Sequence, residues 1–216
     1  MSLENLNILI TAGPTHEAID PVRYIGNSSS GKMGYAIATI AKERGAHVQL
    51  VSGPTNIPAP EGVQLTSVKS ANEMYLESER LFSRCDIAIF SAAVADYTPK
   101  FPADKKIKKS TDEFVLELIK TKDIAMELGK KKTPKQTTVG FALETNNGES
   151  NAQGKLESKN LDFIVLNKLD QSHTPFGTDN NQITIIENNK STSFELKSKE
   201  EVAKDILDYL IAFRNE

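Results

Sequence analysis

Strand-like and helix-like segments alternate along most of the chain, and this alternation predicts a Rossmann-like α/β fold: an open, mainly parallel sheet flanked by helices, with a β-hairpin near the C-terminus. Three observations carry the prediction. Short apolar runs end in turn residues, as LNILIT does at Ala12-Gly13-Pro14-Thr15. Between such runs apolar residues recur at helical spacing, as Met33, Ala36, Ile37, Ile40 and Ala41 do. Two segments open with a Ser-x-x-Glu capping box, at Ser70 and at Ser198.

Taken in order, LNILIT (6–11) reads as the first strand, Gly45 stops the helix that follows, and HVQLVS (47–52) is the second strand, closing one βαβ unit. The helix headed by Ser70 runs to about Arg84, and residues 86–92 are apolar on both faces, the pattern of a buried parallel strand. A strand at 114–120, a short helix at 124–130, a strand at 137–142, a helix at 148–159 and a strand at 162–167 continue the alternation. QITIIE and TSFEL flank the turn residues ENNK as the hairpin, and Ser198 heads a final amphipathic helix. No internal repeat or low-complexity tract divides the chain, so residues 1–216 are expected to form a single domain.

With 216 residues, 38% of them apolar and 25% charged, the chain can bury one substantial core. A net charge of −3 and a pI near 5.7 lack the basic footprint of a nucleic-acid coat, so no nucleic-acid partner is expected. Any anionic ligand must meet local positive charge. No apolar run approaches the ~20 residues of a membrane span, and MSLENLNILI has neither a basic start nor a small-residue cleavage site; a cytoplasmic protein with no membrane partner is expected. Cys85 precedes the apolar run DIAIFSAA and should be buried. His16, His47 and His173 have no metal-ligand spacing with each other or with Cys85, which argues against a protein-bound zinc.

Residues 26–32 fit the G-x-x-x-x-G-K of a phosphate-binding P-loop, but Met33 stands where a Ser or Thr binds Mg²⁺ and PVRYI makes a poor buried strand. The P-loop is rejected. What survives is physical: Ser28, Ser29, Ser30 and Gly31 open a helix whose free backbone N–H groups and positive dipole end suit a phosphate or carboxylate. The bland explanation is helix capping, for which one serine suffices. A dinucleotide reductase is the alternative in the same fold class, but the chain lacks G-x-G-x-x-G, and Pro14 removes an N–H where a pyrophosphate needs one.

Two further segments could hold an anion. After the buried strand that ends in Ser91, Ala92 and Ala93, a Pro-bearing loop carries Asp96 and then Lys105, Lys106, Lys108 and Lys109. A charge run is more often a solvated face, but this one follows a strand's carboxyl end. Lys155 and Lys159 lie four apart on one helix face, a spacing that can grip a phosphate yet is commonplace on surfaces.

Together TAGPT (11–15), DPVRYIGNSSSGKMG (20–34), AAVADY (92–97), KIKK (106–109), VGFALETNN (139–147), KNLD (159–162) and FGTDNN (176–181) resemble phosphopantothenoylcysteine synthetase, in the right order over nearly the whole chain. In many bacteria that enzyme is the C-terminal half of a flavoprotein. This chain begins directly at the synthetase part, so it resembles the stand-alone form and no flavin is expected. The resemblance implies a coenzyme A biosynthetic ligase that joins 4′-phosphopantothenate to L-cysteine with CTP and Mg²⁺ through an acyl-cytidylate, releasing pyrophosphate and then CMP. It also implies a homodimer clasped by the hairpin and intervening loops.

Carried over by motif position, Asn27 would hydrogen-bond the reacting carboxylate and Lys106 would neutralise the triphosphate from a mobile loop. Gly13, Ser29, Ser30 and Gly31 fit the phosphate cradle, and Phe90, Ser91, Ala92 and Asp96 the strand-end nucleotide contacts. Lys122, Asp123, Ile124, Ala125 and Phe141 fit the segments around the base, Lys155 and Lys159 the phosphate grip, and Asn27, Ala92 and Ala93 the acid substrate. Mg²⁺ would be held mainly by the triphosphate, near Asp96. One departure bears on the base: many bacterial relatives have N-P-D-I where this chain has Thr121-Lys122-Asp123-Ile124.

Overall fold

In the computed structural model, β1 (Asn7–Ala12) is buried on both faces from Ile8 onward, which a strand achieves only in the middle of a sheet covered on both sides. After it come β2 (His16–Ala18), β3 (Tyr24–Gly26), α1 (Lys32–Glu43), β4 (His47–Ser52), β5 (Gln64–Ser67), α2 (Ala71–Phe82), β6 (Ile87–Phe90), β7 (Tyr97–Pro99) and β8 (Leu118–Lys120). The chain continues through α3 (Ile124–Gly129), β9 (Thr137–Glu144), α4 (Gly148–Ser158), β10 (Phe163–Lys168), β11 (Asn180–Asn181), β12 (Ile183–Glu187), β13 (Lys190–Ser193), β14 (Lys197–Ser198) and α5 (Lys199–Arg214). The structure describes residues 2–108, 113–144, 148–168, 179–188 and 190–215. Lys109, His173, residues 145–147 and 176–178 of the family motifs, and Asn189 of the hairpin turn lie outside them.

Among the described residues the main sheet has the order β13-β12-β10-β9-β6-β1-β4-β5, parallel except for the antiparallel β10-β12-β13 edge. This is the mainly parallel sheet with a C-terminal hairpin that the alternation predicts. Successive residues of β1 divide between two cores: Ile8 and Ile10 pack with α1 and α5, and Leu9 packs with α2, α3 and α4. Both capping boxes form, Ser70 with Glu73 and Ser198 with Glu201. Gly45 ends α1 at φ +91°, a conformation open to glycine at little cost. Cys85 is buried, and burial pushes its thiol up to about 12.

Three expectations change. The strand at 114–120 shrinks to β8, all of it exposed and paired only with the short β7, because Pro99 ends the partner strand and no helix covers either face. The strand at 86–92 stops at Phe90: Ser91 N still donates to Thr11 O of β1, and by Ala93 the chain bonds Gly13, past the end of β1. The short pairs β2-β3 and β7-β8 and the half-exposed β5 carry too few apolar residues to be read as strands. The strand before the near P-loop, β3, is an exposed element paired only with β2, so a P-loop's buried strand is absent there.

Candidate functional site

The sheet order reverses at β1: the chain moves outward through α1 to β4 and β5, then crosses back to β6 on the other side of β1. Loops leaving the carboxyl ends of β1 and β6 therefore diverge and open a crevice, the usual place for a ligand in such sheets. The two loops are stitched together beneath it. Ser91 Oγ donates to Thr11 O at 2.6 Å, Ala93 N to Gly13 O at 2.9 Å, and Ala95 N to Thr15 Oγ1 at 3.0 Å. The segment between β3 and α1 joins through Asn27, whose Nδ2 donates to Ala93 O at 3.3 Å and Val94 O at 2.9 Å.

Helix α1 starts hard against these strand ends. A Cβ on Gly34 would lie 2.6 Å from Ala12 Cβ and from Ser91 Oγ, so only glycine lets the first turn come this close. Gly31, the N-cap, has φ +77°, and a Cβ there would lie 2.7 Å from Thr55 Cγ2. No side chain caps the helix. Ser29 Oγ instead accepts from Gly31 N at 3.3 Å. The capping explanation of the serine run is thereby overturned: left-handed Gly31 turns the chain so that the serines border the crevice.

Two adjoining cavities occupy the crevice, one of about 730 Å³ and one of about 350 Å³, sharing Ala92, Val94, Asp96, Phe141 and Lys155 in their walls. Phe90, Lys122, Asp123, Ile124, Ala125 and Lys159 line the larger. Asn27, Ser29, Ser30, Gly31, Ser91 and Ala93 line the smaller. Of the residues given a site role by the resemblance, Gly13 and Lys106 line neither, and Ser28, Lys105 and Lys108 of the anion-holding segments also lie outside both. Gly13, at φ +73°, packs against Gly31 and Gly53 as support. Lys106 is exposed on a loop whose next residue is tethered: Ile107 N donates to Asp20 Oδ2 at 3.1 Å, and Arg23 Nη2 donates to Ile107 O at 3.1 Å. The Arg23 guanidinium beside the buried Asp20 holds its carboxyl well below the usual carboxylate range.

Two lysines in the wall of the larger cavity meet carboxylates. Lys155 Nζ lies 2.6 Å from Glu144 Oε1 and Lys159 Nζ 2.9 Å from Asp123 Oδ2. Asp123 also caps α3 by accepting from Met126 N at 3.0 Å. Lys122 Nζ sits 4.2 Å from the Tyr75 ring centroid, a cation–π contact. Lys32, Asn167, Asn181 and Lys199 also line the smaller cavity, and the sequence reading assigned none of them a role. Lys32 and Asn181 lay inside quoted motifs, whereas Lys199 was absorbed into a capping box and Asn167 into a strand end. Among the described residues no group of three or more His, Cys, Asp or Glu is placed to hold a metal ion, and no helix is long and apolar enough to cross a membrane.

The model of the DFP family, DNA/pantothenate metabolism flavoprotein C-terminal domain, matches residues 3–213. The chain belongs to this family. A DFP-domain relative named coenzyme A biosynthesis bifunctional protein CoaBC, from Haemophilus influenzae, is 47% identical over 97% of this chain and 52% of its own length. A protein named cysteine/cysteine sulfinic acid decarboxylase, from an unknown prokaryotic organism, is 51% identical over 95% of this chain and 58% of its own length. The chain thus spans about half the length of these curated relatives. Among solved structures, the C-terminal domain of a CoaBC protein superposes with a TM-score of 0.84 at 40% identity, covering 99% of this chain and 98% of that one. The DFP fold recurs in a Cab2 mutant complexed with phosphopantothenate-cysteine, at a TM-score of 0.77 and 17% identity over 98% of this chain and 87% of that one.

Proposed function

We propose that the chain is a phosphopantothenate–cysteine ligase of coenzyme A biosynthesis that activates a carboxylate with CTP and passes the acyl group to the amine of L-cysteine. The observation that carries this reading is the seam between the cavities. Spaces of about 730 Å³ and about 350 Å³ meet at Ala92, Asp96 and Phe141, with Asn27 at the edge of the smaller. Both volumes suit small-molecule ligands, and two reactants bound in them meet at the shared wall. The name of the Haemophilus influenzae relative supports the pathway. The decarboxylase name of the other relative is not carried over, because much of that protein lies outside the match.

A carboxylate resists an amine because it is anionic and has no good leaving group. Its oxygen first attacks the α-phosphorus of CTP; the new P–O bond forms as the bond to the β-phosphate breaks, and pyrophosphate leaves with the electron pair. The cysteine amine then attacks the acyl carbon, the C–N bond forms, the C–O bond breaks, CMP leaves and the amine proton passes to water. Lys122, Asp123, Ile124, Ala125 and Phe141 border the space for the base, and the uncapped start of α1 faces the phosphates. Asn27 donates to Ala93 O and Val94 O. A substrate carboxylate that takes over one of these hydrogen bonds brings the reacting carbon to the seam. Asp96, in the wall of both cavities, is the carboxylate available to a phosphate-bound Mg²⁺, which binds through one or two carboxylates plus phosphates and would there offset phosphate charge. Lys106 reaches the triphosphate by movement of its loop.

The enzyme of this reading is cytoplasmic and works as a homodimer. Val22 (60% exposed), Phe101 (73%) and Val115 (86%) present apolar surface around β3 and the β7-β8 arm, where a second copy would cover it. The C-terminal hairpin is less suited to that role, since Ile183, Ile185 and Ile186 are already buried in the main sheet. Light scattering of the purified chain reads the mass directly. The reaction is tested by following pyrophosphate with CTP or ATP, with and without 4′-phosphopantothenate, and the amide product with and without cysteine. Pyrophosphate that needs both CTP and the acid, and amide that needs all three, supports the ligase; CTP hydrolysis indifferent to the acid sinks it.

A further inference from the structure

The strand that delivers Asn27 to the crevice has one neighbour. β3 ends at Gly26, one residue before Asn27, and among the described residues it pairs only with β2. β2, by contrast, is anchored on two sides. His16 N donates to Lys69 O at 2.8 Å, and the buried Glu17 accepts from Ala71 N, at the head of α2, at 2.8 Å. Thr15, just ahead of β2, accepts from Ala95 N in the loop after β6. The place of Asn27 therefore depends on how firmly β3 is held to β2, and a ribbon of three residues a side holds little by its backbone alone.

One side chain supplies the hold. The rings of His16 and Tyr24 stack, their centroids 3.7 Å apart and their planes 13° from parallel. His16 also stands directly opposite Gly26 in the β2-β3 register, and a Cβ on Gly26 would lie 3.2 Å from His16 Cδ2. The imidazole thus spans β3 from its first residue, Tyr24, to its last, Gly26, and stops just short of Asn27. Asn27 Nδ2 reaches two adjacent carbonyls, Ala93 O and Val94 O, and a shift of about 1 Å in its backbone would spoil that alignment. His16 lines neither cavity, so its influence on a ligand held there passes through Asn27.

We propose that His16 is a positioning residue for the ligation: its ring clamps β3 against β2 and so sets where the Asn27 amide meets the substrate carboxylate. The proposal rests on the reading of Asn27 as the partner of that carboxylate. Stacking and close contact supply the clamp, so a flat ring without nitrogen serves in its place and a methyl group does not.

His16→Ala and His16→Phe in the full chain separate a clamp from a merely structural contact. His16→Ala should slow amide formation at saturating CTP, 4′-phosphopantothenate and cysteine about ten- to a hundredfold, while the KM values for CTP and 4′-phosphopantothenate stay within about twofold. His16→Phe should keep the rate within about threefold of the unaltered chain. Added to Asn27→Ala, His16→Ala should cost less than about twofold more, because the clamp has no amide left to place. KM values that rise at unchanged kcat, a Phe variant no better than the Ala variant, or full multiplication of the two losses in the double variant overturns the proposal. Crystal structures of the variants read the placement without turnover: His16→Ala should part Asn27 Nδ2 from Ala93 O and Val94 O, and His16→Phe should keep both contacts. An unaltered chain that forms no amide sinks the ligase reading and the positioning role with it, whereas amide formation by the unaltered chain with Asn27 unmoved in His16→Ala sinks the positioning role alone.

Discussion

In the larger cavity Lys155 and Lys159 meet carboxylates that are themselves anchored: Glu144 also accepts from Asn151 Nδ2 at 2.9 Å, and Asp123 also caps α3. In the smaller cavity Lys32 meets Asp179, a carboxylate out in solvent, at the uncapped start of α1. A charge held by a partner with a second task is fixed in place and contributes geometry. A charge held by an exposed partner can be released to a ligand, because screening leaves such a pair little net stability. Lys159 of the larger cavity and Lys155 of the shared wall are thus held by anchored partners, whereas Lys32 of the smaller cavity is held by an exposed one.

Asn27 lines the smaller cavity and donates to Val94 O of the shared wall, and its removal should have the largest effect. Loss of one donor at a developing oxyanion typically costs about a hundred- to a thousandfold. Asn27→Ala should therefore slow amide formation by that factor, slow pyrophosphate release less, and accumulate the acyl-cytidylate, which mass measurement of quenched reactions detects. Wild-type amide formation would place the seam elsewhere. Next comes Lys106, which lines neither cavity. If its loop closes over the triphosphate, Lys106→Gln loses about ten- to a hundredfold in pyrophosphate release, and Lys105→Gln, outside the motif, stays within about threefold. Equal effects of the two would make the loop a solvated charge run.

For residues held by anchored partners or by a ring the effects should be smaller. Lys122 lies over the Tyr75 ring in the wall of the larger cavity. CTP should give a larger kcat/KM than ATP, and Lys122→Pro should change the CTP to ATP ratio by less than about tenfold. A reversal of preference would make Lys122 the selector. Smallest is the Lys155–Glu144 pair. The Lys155 hydrogen bond holds the Glu144 carboxyl below its ordinary value, so the pair's contribution is present above the ordinary carboxylate range and lost only as pH falls through the lowered value. Lys155→Met should lower Tm by about 1–3 °C, equally at pH 5 and pH 7, with the difference shrinking below roughly pH 4. A difference that shrinks between pH 7 and pH 5 would mean that another group carries the pair's stability.

Periodicity made most of the fold legible: β1, β4, β9, β10 and the heads of α2 and α5 fall within a residue or two of where pattern and capping place them. Local pattern could not reach β2, β3, β7 and β8, whose few residues pair only with one another and bury little. The site was legible chiefly through the resemblance: nearly all the residues to which it gives a role line one of the two cavities, although many other lining residues received none. Lys199 and Asn167 escaped because nothing beside them in sequence marks a site. The local context of Lys199 is a capping box, and its neighbour Lys32 is far away in the chain.

The sequence by itself determined the alternation of elements and the capping of α2 and α5, because each follows from interactions within a few residues. Tertiary structure alone decided that the serine run leaves its helix uncapped, that Lys106 starts outside the cavities, and that the first residues of α1 and α5 share one wall. These depend on which strands neighbour β1 and on which helices cover one face. That choice rests on the summed burial of two cores rather than on any local signal.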